Sequence, residues 1–156
     1  FNKIVKKLIS NLKLKNNTFV HRDFHVSNLM LKKNKIGVID SQDALIGNRA
    51  YDLASLIDDV RLKTSDLLKA KVFEYYIKTQ RRIEKKKFQN DFQILSVLRN
   101  LKIIGIFTRL SIRDKKNNYL KLIPYTWALL NRRINENEIF DELKILLNKY
   151  FAEEIK

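Results

Sequence analysis

Both histidines of the chain, His21 and His25, fall in the stretch FVHRDFHVSNLM, beside Arg22, Asp23 and Asn28. An acid, two imidazoles and an amide gathered behind an apolar pair are the residue types of proton transfer and of oxygen-donor metal binding. The segments NLML at 28–31 and KIGVID at 35–40 are β-leaning and separated by the polar turn KKNK. If they pair about a turn between Lys33 and Asn34, opposed positions sum to about 67 or 68, so Asn28 faces Ile39 or Asp40. Opposed residues lie about 5 Å apart, which lets the amide oxygen of Asn28 and the carboxylate of Asp40 converge on one ion. Two hard oxygen donors with room for phosphate oxygens and water suit Mg2+. Asp23, on a loop between two strands, stands beside that ion without binding it. Phosphoryl transfer uses such a set: a carboxylate orients the attacking hydroxyl and accepts its proton while metal neutralises phosphate charge. As a metal pair the two histidines lack a third ligand at a matching spacing, so structural roles are expected for both.

HRDFHVSN, followed by IDSQDA and then by GNRAYDLASL, resembles the catalytic core of the aminoglycoside phosphotransferase and choline kinase family, relatives of the protein kinases. The resemblance implies Asp23 as catalytic base, Asn28 and Asp40 as Mg2+ ligands at the ATP phosphates, and Asp52 as a buried acid bracing the catalytic loop. His25 stands where serine/threonine protein kinases carry Lys. Arg22 follows the protein-kinase habit instead, since most small-molecule kinases carry Gly there. Only eleven residues separate Asp40 from Asp52, too few for a peptide-docking activation segment. A small-molecule acceptor is therefore favoured. SQDA, AYDLASLIDDVR, LKIIGIFTRL, RDKKNNYLKLIP and the helix around Trp127 are similar to the bacterial cell-wall amino-sugar kinases, although Ser41 stands where an aromatic residue is expected. That similarity implies phosphorylation of N-acetylmuramate or N-acetylglucosamine on the anomeric hydroxyl during peptidoglycan recycling. Arg109 and Arg113 are then candidates to meet a substrate carboxylate.

The elements that must position these residues read mainly as helix. FNKIVKKLISNL puts Ile4, Leu8 and Leu12 on one stripe, and AYDLASLIDDVRL does the same with Leu53, Ile57 and Val60. TSDLLKAKVFEYYIKTQ opens with Thr64 and Ser65 as cap candidates and repeats apolar groups at Leu68, Val72, Tyr75 and Tyr76. The segment from Phe88 to Leu110 is apolar on nearly every side in its second half, which predicts a helix buried among others. Pro124 separates a short helix at 117–122 from another through Trp127 to Leu130. A last helix, from about Glu138 to Phe151, carries Ile139, Phe140, Leu143, Leu147 and Tyr150. The fold class expected is mainly α (α+β): a protein-kinase-like C-terminal lobe over residues 1–156, with a short β-hairpin at the catalytic loop (19–43) and a helical subdomain (50–156).

Bulk properties bound the function classes. With 45% hydrophobic residues in 156, the chain is long enough to bury a core. The absence of cysteine excludes disulfides and thiolate metal sites. No apolar run approaches the roughly 18 residues of a membrane span, and the start FNKIVKKLIS lacks a signal peptide's apolar segment, so a cytoplasmic setting is expected. The balance of 32 Lys and Arg against 17 Asp and Glu gives +15. This charge is spread along the chain rather than collected in a stripe, which makes nucleic acid an unlikely partner. The densest run, RRIEKKKF at 81–88, reads as a solvated helix start or loop. The same charge argues against polycationic aminoglycosides as acceptors and favours a neutral or anionic sugar. Nothing before His21 has the length of an N-terminal kinase lobe, so the ATP site is expected to be present only as its floor and the fragment alone to be inactive. The alternatives are a kinase for another small alcohol (choline-, homoserine- or aminoglycoside-like) and a noncatalytic basic helical module that binds nucleic acid.

Overall fold

The computed structural model describes residues 1–80 and 83–154; Arg81 and Arg82, at the head of the basic run, lie outside them. The chain divides into two compact units, Leu12–Leu95 and Phe1–Asn11 with Ser96–Lys156.

In the unit Leu12–Leu95, β1 (Asn16–Val20) pairs antiparallel with β4 (Leu45–Asn48), and β2 (Leu29–Lys32) pairs antiparallel with β3 (Lys35–Val38). The β2–β3 register sets Leu29 against Val38 and Leu31 against Ile36. Continuing it places Asn28 opposite Ile39, whose N–H donates to the Asn28 carbonyl at 3.1 Å. Lys33 and Asn34 form the turn with φ of 45° and 61°. Two successive left-handed residues make the tight turn whose twist matches the strands. β4 was not expected from the sequence, because Gly47 and the closing Asn48 make LIGN read as loop. Gly47 is closely approached: a Cβ there would stand 2.9 Å from Leu45 Cδ1 and 3.3 Å from Val20 Cγ2 of the partner strand, so both side chains would have to shift.

The core of this unit is α2 (Ala50–Ile57), with Ala50, Leu53, Ala54 and Ile57 buried against Phe88 and Phe92 of α4 (Lys85–Asp114). Val60 is also buried. α3 (Asp66–Thr79) starts at Ser65, whose hydroxyl accepts from Leu68 N–H at 3.2 Å. The stripe expected on α3 is rotated in the structure. Val72 and Tyr76 pack inward together with Phe73 and Ile77, but Leu68 and Tyr75 face solvent at 48% and 72% exposure. The inward row begins instead at Lys69, one turn before Phe73, and its buried ammonium donates to the Ile57 carbonyl at 2.6 Å. A charged residue can hold a core position when its stem is apolar and its head is paired. Phe73 meets Phe92 edge-on at 5.0 Å between ring centres.

The unit Phe1–Asn11 with Ser96–Lys156 contains α1 (Asn2–Ser10), α5 (Ile123–Ile134) and α6 (Asp141–Tyr150), with the C-terminal part of α4. Leu8 of α1 is buried and Ile4 half-buried. A 3-10 segment, Asn117–Leu122, leads into α5, whose first turn holds Pro124. Proline costs nothing there, since that N–H has no helical acceptor. α5 buries Trp127, Leu130 and Ile134, while Phe140, Leu143 and Leu147 are buried at and after the 3-10 turn Glu138–Phe140. Ile139 is half-buried and Tyr150 is exposed.

The expectation for α4 is inverted. Its residues from Phe88 to Asn100 hold most of the buried positions, whereas beyond Asn100 only Phe107 is buried. Ile104, Gly105, Thr108 and Ile112 line an open cleft there. Apolar composition states what a helix can bury, and the number of neighbours decides what it does bury.

Candidate active site

β1 delivers the chain into the loop that carries Asp23. Asp52, in the first turn of α2, receives the backbone N–H of His21 at 2.7 Å and of Arg22 at 3.0 Å, one on each carboxylate oxygen. Charge-assisted bonds of this kind are roughly twice as strong as neutral ones. They fix a strained turn, because Arg22 has φ of 73°, a conformation that glycine enters freely and arginine does not. Its guanidinium donates to the Asp43 carbonyl at 3.2 Å.

The backbone carbonyl of Asp23 accepts from His25 N–H at 3.0 Å and from Asn28 Nδ2 at 2.9 Å. The Asp23 carboxylate has no hydrogen bond or ion pair among the described residues. Asn28 closes a short 3-10 turn, Val26–Asn28, immediately before β2, and is buried. With Nδ2 committed to Asp23, the amide oxygen Oδ1 is the group left to bind a ligand. Asp40, exposed at the end of the hairpin, takes φ of 66°. Buried His21 ties the two sides together: its Nε2 lies 3.0 Å from the Ile39 carbonyl, next to Asp40. That contact makes Nε2 the protonated nitrogen, since a carbonyl can only accept. His25 is also buried.

Among the described residues no group of three or more His, Cys, Asp and Glu side chains is set to hold a metal ion. Asn28 and Asp40 flank the β2–β3 ladder, and their oxygens are of the hard kind that could hold Mg2+ together with phosphate and water.

Two further acids in this unit are engaged with backbone, one at this loop and one at the other end of β1, and neither was singled out in the sequence. Asp59, just past the end of α2, accepts Val26 N–H at 2.9 Å. Asp91 of α4 is wholly buried and accepts Lys13 N–H at 2.8 Å, Leu14 N–H at 2.9 Å and Asn48 Nδ2 at 2.6 Å. The only signal for Asp91 was an acid in the middle of an apolar helical run.

Arg109 and Arg113 belong to the other unit and line the open cleft on α4. Arg113 is fully exposed and chelates Asp114 with Nε at 2.6 Å and Nη2 at 2.9 Å. This fork holds the Asp114 carboxyl below the usual carboxylate range and raises the guanidinium above its own ordinary value.

Residues 3–85 match the model of a phosphotransferase enzyme family. The chain belongs to that family. It is 38% identical over 120 residues to the N-acetylmuramate/N-acetylglucosamine kinase of Neisseria meningitidis, covering 73% of this chain and 36% of that protein. To the kinase of the same name from Pseudomonas aeruginosa it is 36% identical over 135 residues, covering 83% and 40%. To that of Caulobacter vibrioides it is 30% identical over 143 residues, covering 88% and 39%. The chain thus spans about two fifths of the length of these relatives.

Proposed function

We propose that this chain carries the catalytic and acceptor side of an ATP- and Mg2+-dependent kinase for an N-acetylated amino sugar, phosphorylating its anomeric hydroxyl in cell-wall sugar recycling. The observation that supports it most is the Asp23 carboxylate, untied within a loop whose backbone is gripped by Asp52. A general base needs this combination of fixed backbone and unoccupied oxygens. The relatives' names supply the acceptor class.

Asp23 would take the proton of the acceptor hydroxyl as its oxygen bonds to the terminal phosphorus. The bond from that phosphorus to the β–γ bridging oxygen breaks, ADP leaves and the sugar 1-phosphate forms. Asn28 and Asp40 would hold Mg2+, which when bound neutralises charge on the phosphates. Asp52, His21 and His25 are assigned to holding the loop, and Arg109 and Arg113 to an anionic substituent of the acceptor.

The two ladders expose Phe19, Ile46, Leu31, Ile36 and Val38. Apolar faces of this extent require a cover. We assign that cover and the rest of the ATP site to an N-terminal lobe outside these residues, without which turnover is expected to be absent. No described helix is long and apolar enough to cross a membrane, and a cytoplasmic setting belongs to the proposal.

The test is Asp23→Asn in the enzyme completed to its relatives' length. Turnover should drop by about 10²-fold or more with nucleotide affinity kept, the usual scale for a positioned acid–base group. Near-normal turnover would remove Asp23 from the mechanism. A parallel screen of amino sugars, choline, homoserine and kanamycin-type acceptors decides the substrate class, and preference for a cationic acceptor would overturn the sugar assignment alone.

A further inference from the structure

α2 is followed directly by two successive buried acids, its C-cap Asp58 and Asp59. A helix C-terminus carries partial negative charge, so carboxylates there oppose the helix dipole, and burying them adds a desolvation cost. Lys69 answers only one of them: its ammonium lies 3.3 Å from Asp58 Oδ1 and donates to the Ile57 carbonyl, closing the helix end onto α3. Asp59 points the other way. Its Oδ2 receives Val26 N–H at 2.9 Å, while Oδ1 receives Arg61 N–H at 3.0 Å and lies 3.5 Å from the Arg61 guanidinium.

Val26 opens the 3-10 turn that ends at Asn28, and the preceding residue, His25, supplies no side-chain cap. The first N–H groups of a helical turn have no internal acceptor. Asp59 meets that need from a distant point in the sequence. The loop is therefore gripped on both flanks of Asp23, by Asp52 at His21 and Arg22 and by Asp59 at Val26.

We propose that Asp59 is a positioning residue for phosphoryl transfer: by holding the Val26 amide it fixes the turn that aims Asn28 and, through the Asn28 bond to the Asp23 carbonyl, the catalytic loop. The inference rests on the catalytic reading of Asp23 and Asn28 given above. Loss of such an orienting partner typically costs 10–100-fold.

The experiment has a structural and a kinetic arm. In this chain, amide hydrogen exchange followed by NMR should show Val26 protected. Asp59→Ala should speed exchange at Val26 by at least about tenfold more than at Leu53 in α2, because the bond is local and not merely part of global stability. Asp59→Asn, which keeps an acceptor oxygen, should restore part of the protection. In the completed enzyme Asp59→Ala should lower kcat by about 10–100-fold with KM for ATP nearly unchanged, and Asp59→Asn should fall between it and the parent. Equal acceleration at Val26 and Leu53, or an unchanged kcat, overturns the proposal. Should neither variant fold, the parent decides: a Val26 amide exchanging as fast as those of the exposed residues 41–43 overturns it, and a protected one supports it. If Asp23→Asn leaves turnover intact while Asp59→Ala still frees Val26, the catalytic reading has failed and the Asp59 bond has not.

Discussion

β1–β4 and β2–β3 are both short antiparallel ladders in the same unit, and they are secured in opposite ways. The first runs from a lead-in gripped by Asp91 to a buried Val20 that opens directly into the catalytic loop, and Asn48, opposite Asn16 at the lead-in end, is bound by the same buried carboxylate. The second is exposed along its length except for half-buried Leu29, and Leu31 and Ile36 face each other with 75% and 68% of their surface accessible. The ladder that sets the position of Asp23 is thus anchored within these residues. The ladder flanked by Asn28 and Asp40 has a closed hydrogen-bond register, and it shares exposed apolar side chains with the first, which exposes Phe19 and Ile46, but it has no such buried anchor among the described residues. The difference shows which part of the proposed site is anchored by a buried carboxylate among the described residues and which part rests on its ladder alone.

Breaking the anchored side should have the largest effect. Asp91→Ala removes the acceptor for two backbone N–H groups and the Asn48 amide. Each donor left buried without a partner costs about 1–3 kcal/mol, so a loss of about 3–5 kcal/mol or outright unfolding is expected. Urea denaturation monitored by circular dichroism measures it. A loss below about 1 kcal/mol would mean that water replaces the carboxylate and that β1 is held by its ladder alone.

The parts of this unit that could be read in the sequence are those governed by local rules. The hairpin turn at Lys33–Asn34, the cap at Ser65 and the Pro124 start of α5 each depend on a few adjacent residues, and each stands where its chemistry places it. The Leu53, Ile57 and Val60 stripe was legible for the same reason. β4 was hidden because its strand character comes from its partner, β1, and its own residues include a glycine set close against Val20. Lys69 and Leu68 changed places because a buried cation was paired to groups eleven and twelve residues away, which no periodicity reports. The spacing of Asp23, Asn28, Asp40 and Asp52 could be read from the motif. The acids that grip backbone from a distance, Asp59 and Asp91, could not, since a carboxylate bound to an N–H leaves no pattern in sequence.

The uncovered ladder should behave in the reverse manner. Exchanging the opposed pair by Leu31→Lys with Ile36→Glu replaces an exposed aliphatic contact by an exposed ion pair. In this chain the stability change should stay within about 0.5 kcal/mol, the range of surface substitutions away from special features. Solubility should rise as the apolar patch shrinks. In the completed enzyme the same pair should weaken ATP binding, visible as a higher KM for ATP. Unchanged KM together with unchanged stability would mean that this face is open to solvent in the whole protein, and the contrast between the ladders would then carry no functional content.

The smallest effect sits under the anchored side and emerges only in alkali. Tyr76 packs on the α2 core with its ring 5.3 Å from that of Phe88. Burial raises its phenol above the ordinary value of 10.0, Arg49 opposes the rise and Asp52 adds to it. A raised value in the fold means that the folded chain keeps a proton which the unfolded chain gives up. The Tyr76 contribution is therefore fully present below pH 10.0 and is lost as pH climbs through the raised folded value. Tyr76→Phe cannot ionise, so it should match the parent closely at neutral pH and lose less stability per pH unit above about 10. Thermal unfolding across the alkaline range in both proteins tests this. Parallel slopes would place the Tyr76 hydroxyl in water and leave the Asp52 end of the core wetter than the Tyr76–Phe88 packing implies.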